Sequence, residues 1–113
     1  MSKDKPILLI HENNNDNIMV VREVYTTKSG LIAAGCYVTK GNFTLDSRIS
    51  VIRDGVKVYP VNVAESTKIQ SIKRFKDSIT KAHTNLEYGI IVDGFDDIRE
   101  GDIIQSESIS VIL

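Results

Sequence analysis

Lys73, Arg74, Phe75 and Lys76 set three cations and an aromatic ring in four consecutive positions of a chain whose 14 Lys and Arg are otherwise balanced by 15 Asp and Glu. An arginine fork can bridge two phosphate oxygens, lysine adds point charge, and an exposed ring can stack on a nucleobase for ~1–3 kcal/mol. Together these groups suit a surface that grips an anionic, base-bearing ligand. The plainer reading is a solvated face, where short basic runs usually lie. A grip of this kind also needs access to the main chain. Gly89 in "LEYGI" can supply it, because a Cβ there would hold a ligand off the backbone, and Gly35 beside Cys36 can do likewise.

Other chemistries find little support. No Gly-x-x-x-x-Gly-Lys-Ser/Thr loop occurs, so GTP is not bound by that route. His11 and His83 are far apart, with no cysteine or second histidine at ligand spacing, and a metal site is not expected. Cys36 lacks an evident histidine partner and reads from pattern alone as a small buried hydrophobe. Asp93, Asp96 and Asp97 lie in a Gly-flanked turn, where Asp commonly bonds the local backbone. The formal net charge of −1 means that any nucleic-acid binding must come from a local patch. A single cysteine and no charged-then-apolar leader point to a reducing compartment, and the longest apolar run, Ile7 to Ile10, is too short to span a bilayer.

The elements that must position the basic cluster read as strands. At 113 residues, with 42% hydrophobic and 26% charged content, the chain has the size and composition of one folded domain. Residues 1–16 pair a short apolar run with an Asn-rich tract lacking packing periodicity and read as a disordered tail or linker remnant, leaving 17–113 as the domain. From Asn17 onward short β-branched and aromatic segments alternate with turn residues: "NIMVVREVYTT", "LIAAGCYVT", "LEYGIIVDG", "IREGDII" and "SESISVIL". "SRISVIR" places Ile49, Val51 and Arg53 on one face, and Asp54-Gly55 is the dipeptide favoured in a type I′ turn into "VKVYPVNV". Strands with hairpin-length connections predict an all-β antiparallel barrel, with a sandwich as the alternative. The segment Ser71 to Ala82 breaks parity: a regular strand cannot put Ile72 and Phe75 on one face, so a kink or short helical turn is predicted near Arg74 to Asp77.

Taken in order, "VVREVY", "AGCYVTKG", "SRISVIRDGVKVY", "SIKRFKD", "EYGI" and "FDDIREGDII" resemble the C-terminal β-barrel domain of bacterial-type translation initiation factor two, over most of Val20 to Ile104. The resemblance implies a six-stranded antiparallel Greek-key barrel of the translation-factor domain II type, with no catalysis or cofactor of its own and GTP held on a separate domain of a full-length protein. It implies binding of the formylmethionyl 3′ acceptor end of initiator tRNA, placement of that tRNA on the ribosome, a monomeric state, and a bacterial cytoplasm or an organelle matrix or stroma. Cys36, Lys73, Arg74, Phe75, Lys76, Glu87, Tyr88 and Gly89 match the family's positions around the pocket, with Cys36 and Gly89 lining it and Arg74 and its lysine neighbours meeting the 3′ end. Formylation converts the α-ammonium into a neutral amide, so a pocket rimmed by Arg74 favours the formylated form. Tyr88 departs from the family, which usually carries cysteine there. The connection from Pro60 to Gln70 is longer than the family's and reads as a surface insertion, and "LIAAGC" carries one extra residue, which a bulge before Cys36 would absorb. The alternative is a structural or ribosome-docking barrel whose old pocket Tyr88 has closed.

Overall fold

A computed structural model describes the backbone of residues 8–112 and the side chains of residues 16–107. Alternating, β-branched segments become strands in the order β1 (Leu8–Thr26), β2 (Ile32–Lys40), β3 (Phe43–Thr44), β4 (Ile49–Arg53), β5 (Val56–Tyr59), β6 (Ile69–Arg74), β7 (Asp77–Ile79), β8 (Lys81–Ala82), β9 (Glu87–Val92) and β10 (Ile103–Ile112). The described residues contain no helix. An eight-stranded antiparallel sheet runs β5-β4-β10-β1-β2-β9-β6-β7, beside a two-stranded sheet of β3 and β8. Ile49 and Thr67 exchange backbone hydrogen bonds of 2.8 and 2.9 Å. That bridge joins β4 to the chain entering β6 and closes the sheet on itself, satisfying backbone groups that an open sheet would leave at its edges.

The all-β, antiparallel expectation holds, with ten strands where six were expected. The six strands β1, β2, β4, β6, β9 and β10 make the closed ring, and the short β5 and β7 are hairpin arms added to β4 and β6. "GDII" and "SESISVIL", read separately above, are one strand, β10, because no turn residue interrupts the run after Asp102. β1 begins at Leu8, within the stretch read as a tail, and Leu8 to Asn13 pairs with Glu107 to Ile112. Ladder hydrogen bonds are made by the backbone, so a polar tract without packing periodicity can still pair.

Interior positions follow the two-residue period of the strands. Tyr88, Ile90 and Val92 of β9 and Ala34, Cys36 and Val38 of β2 point into the core, where Met19, Val21, Val51, Ile72 and Ile104 meet them. Phe43 and Ala82, facing each other across β3 and β8, add two fully buried groups. The Asp54-Gly55 turn takes the predicted form, with positive φ of 52° and 79° at its two central residues.

Charged side chains hold the loops. Asp102, 1% exposed, accepts from Arg53 Nε and Nη2 at 2.8 Å each and from the Arg99 N–H at 2.8 Å, tying the turn before β10 to β4. This bidentate pair raises the Arg53 guanidinium pKa above its ordinary value. The long connection after β5 wraps around one ammonium: Lys57 Nζ donates to the carbonyls of Asn62, Val63 and Glu65 and pairs with buried Glu107 at 3.4 Å.

Candidate nucleic-acid interface

The basic cluster is a hairpin tip. β6 ends at Arg74, Phe75 and Lys76 make a two-residue turn, and β7 returns with Asp77 opposite Arg74. No helical turn forms, which corrects that part of the parity reading. The parity conflict is resolved at Phe75, whose φ of 57° is a left-handed conformation that turns its ring outward, 88% exposed, while Ile72 stays buried. Positive φ at the first central residue alone is the type II′ pattern, where glycine is preferred. A phenylalanine held there stores backbone strain of about 1–3 kcal/mol.

Arg74 leans back from the tip over two rings. Its guanidinium carbon lies 4.9 Å from the Phe75 centroid and 5.9 Å from that of Tyr88, and Nη1 donates to the Glu87 carbonyl at 3.2 Å. Guanidinium planes stack on rings while leaving their edges free to donate. Lys73 and Lys76 are exposed beside it.

The four neighbouring strands β1, β2, β9 and β6 form the wall of a cleft of about 1060 Å³. Their registers place Glu23, Gly35, Gly89 and Lys73 in one row across the outer face, since Glu23 pairs Gly35, Gly35 pairs Gly89 and Gly89 pairs Lys73. Side chains of β1 cover both glycines, which corrects the expected access to the main chain there. A Cβ at Gly89 would collide with the Tyr25 hydroxyl, and one at Gly35 would come within 2.9 Å of Glu23 Cγ. Burial, together with the Glu23 carboxylate, pushes the Tyr25 phenol above its usual pKa, so it stays protonated at neutral pH.

The expected site residues divide by strand parity. Lys73, Arg74, Phe75, Glu87 and Gly89 line the cleft. Cys36 does not, which corrects its assignment to the pocket: it is fully buried, with Sγ 3.6 Å from the Ala34 carbonyl. Burial pushes its thiol well above the ordinary range. Cys36 and Tyr88 are cross-strand partners, so when Gly35 and Gly89 face out these two face in. Tyr88 is 4% exposed, and its hydroxyl accepts the His83 N–H at 2.9 Å, so the ring meets the cleft only beneath Arg74.

Arg22, Glu23, Tyr25, Tyr37 and Asn85 also line the cleft, and reasoning from the sequence missed them. Val21 pairs Cys36 and Glu23 pairs Gly35, leaving Arg22 as the additional residue of a bulge. The bulge was expected before Cys36 on β2; it lies opposite, on β1, and turns Glu23 to the same outer face as Arg22. The Arg22 guanidinium stacks 4.4 Å from the Tyr37 centroid and pairs with Glu87 at 3.2 Å. The Tyr37 hydroxyl donates to Asn85 Oδ1 at 3.3 Å. Alternation alone signals Tyr37, two residues from Gly35, and Arg22, next to inward Val21, while an unpredicted bulge hid Glu23 and Tyr25.

No family model matches the chain. It is 44% identical over 87 residues to translation initiation factor IF-2 of Bacillus cytotoxicus and 43% identical over 86 residues to that of Clostridium novyi, in each case over 76% of this chain. The chain spans 12% of the length of these relatives. Its fold is similar to part of the crystal structure of translation elongation factor SelB from Methanococcus maripaludis, with a TM-score of 0.59 and 22% identity over 86% of this chain and 20% of that one. The chain is thus similar in sequence to a segment of a translation initiation factor and in fold to a β domain of a translation elongation factor.

Proposed function

We propose that the chain is an RNA-end-binding module of a translation initiation factor, whose cleft takes the formylmethionyl acceptor 3′ end of initiator tRNA and helps place it on the ribosome. The observation that carries the proposal is Arg74, its guanidinium over the Phe75 and Tyr88 rings at the edge of the cleft. Arg74 and Lys73 offer charge to the terminal phosphates, and Phe75 offers a face to a base. The Tyr25 phenol over Gly89 offers a donor, and the Glu23 carboxylate over Gly35 an acceptor, to an acylated amino group. An α-ammonium would add a cation next to Arg74 and Lys73, and the formyl preference rests on their repulsion outweighing the attraction of the Glu23 and Glu87 carboxylates in the same cleft. GTP and its hydrolysis belong, in this proposal, to another part of a longer protein.

The test is protection of the labile ester of formylmethionyl-tRNA from spontaneous hydrolysis. Added chain should slow ester loss for the formylated tRNA and do so weakly for methionyl-tRNA, and Arg74→Ala should abolish the effect. Equal protection of both tRNAs refutes the formyl preference, and no protection of either refutes the proposal. One observation favours a second reading, a ribosome-docking barrel without tRNA binding. Cys36 and Tyr88 point into the core, so the cleft is not built around the two positions that the resemblance placed in the pocket.

A further inference from the structure

We propose that Arg22, outward beside buried Val21 and stacked on Tyr37, forms a second anion site of the cleft, for a backbone phosphate of single-stranded RNA, and that Glu87 is its exchangeable counter-ion. The inference rests on the RNA-end reading above and reverses the expected role of Glu87. That residue is a placeholder which the ligand displaces, and not a contact to the ligand.

Glu87 touches both arginines through different atoms. Its carboxylate pairs with Arg22 at 3.2 Å, and its main-chain carbonyl accepts from Arg74 at 3.2 Å. The Arg22–Glu87 pair is open to water, with side chains 57% and 63% exposed, so it holds together weakly and exchanges readily. Arg22 nevertheless does not depend on Glu87 for its position. The Tyr37 ring supports the guanidinium at 4.4 Å, and Tyr37 is itself fixed by Asn85. A planar cation already stacked on a ring loses little freedom when it binds a phosphate in bidentate fashion. Strand alternation after buried Val21 sets Arg22 outward, and the bulge that follows turns Glu23 to the same face, so two adjacent side chains of β1 stand on the cleft side. The cleft thus presents two arginine-on-aromatic stacks, Arg22 on Tyr37 and Arg74 on Phe75, with Glu87 between them. Paired charge and ring of this kind suit the phosphates and bases of a single strand.

The carbonyl contact to Arg74 survives any change confined to the Glu87 side chain, so Glu87→Gln removes the counter-ion alone. Binding of a fluorescein-labelled, unacylated tetraribonucleotide ending in CCA, followed by anisotropy at several salt concentrations, reads the effect. Glu87→Gln should tighten binding about twofold to fivefold, the range an exposed ion pair allows. Arg22→Ala should weaken it about tenfold and lower the slope of log K against log salt by about 0.7, the single-strand value for one phosphate. In the double variant Glu87→Gln should give no gain, because no cation is left to release. Unchanged or weaker binding by Glu87→Gln, with Arg74→Ala still damaging, overturns the counter-ion role and leaves the RNA-end reading standing. A parent chain that binds no better than Arg74→Ala removes both. Circular dichroism of each variant confirms that the barrel is retained.

Discussion

Asp102→Ala removes the buried half of an ion pair whose members do not line the cleft, and so tests what holds the barrel. Asp102 accepts three hydrogen bonds of 2.8 Å, two from Arg53 and one from the Arg99 N–H, at 1% exposure. Stranding the partner of a buried pair costs about 3–5 kcal/mol, because a desolvated charge is left uncompensated. Arg53 is 20% exposed and keeps the Asp97 carbonyl at 2.7 Å and its carboxylate at 3.5 Å, which moves the expectation to the low end. The orphaned Arg99 N–H is near the surface and adds little. The expected loss is therefore about 3 kcal/mol, or roughly 10 °C in Tm for a domain of this size. Urea denaturation followed by far-ultraviolet circular dichroism measures it. Replacing both partners, as Arg53→Met with Asp102→Leu, should recover at least half of the loss, because the desolvation penalty leaves with the charges. A loss below about 1 kcal/mol for Asp102→Ala, or a double variant worse than the single, refutes the reasoning.

Three further outcomes follow from the same geometry. Arg74→Ala should weaken RNA binding by about tenfold or more at unchanged stability, whereas Lys76→Ala should mainly lower the salt slope by about 0.7, checked by anisotropy titration. Phe75→Gly should relieve the strain at φ 57° and raise stability by up to about 1 kcal/mol in urea, while costing RNA affinity through the lost stacking face. Burial raises the Cys36 thiol in the folded state, so the native protein keeps a proton that the unfolded chain loses above the usual thiol range of about 8.5. Stability should fall as pH rises through and above that range. The folded protein should resist a disulfide reagent at pH 8 and react once unfolded; rapid native reaction would contradict the burial.

The hairpins were legible because their determinants are local. Asp54-Gly55 between alternating runs needs no tertiary knowledge, and both residues take the positive φ that the type I′ turn requires. The basic tip was legible as a parity conflict between Ile72 and Phe75. Its resolution was not, since a strained phenylalanine at positive φ costs energy that composition cannot reveal. Cys36 shows a resemblance and a pattern pointing apart: alternation with Gly35 read it as buried, resemblance put it in the pocket, and the register with Tyr88 agrees with alternation. Glu23 and Tyr25 were invisible for a related reason. One additional residue in β1 flips the expected face of everything after Arg22, and bulges carry no fixed signature in a single sequence. The Arg53–Asp102 pair joins residues 49 apart, a separation that only the closed ring brings together.

The central claim is that the outer face of β1, β2, β9 and β6 binds an acylated RNA end. Titrating the isotopically labelled chain with formylmethionyl-adenosine and following backbone amide shifts by NMR tests it most directly. The account predicts saturable shifts clustered at Gly35, Arg74 and Gly89, with smaller ones at Tyr25 and Tyr37, and silence at Cys36 Sγ toward thiol reagents throughout. Shifts confined to the β4–β5 hairpin and the Lys57-anchored loop, or none at all, would contradict it.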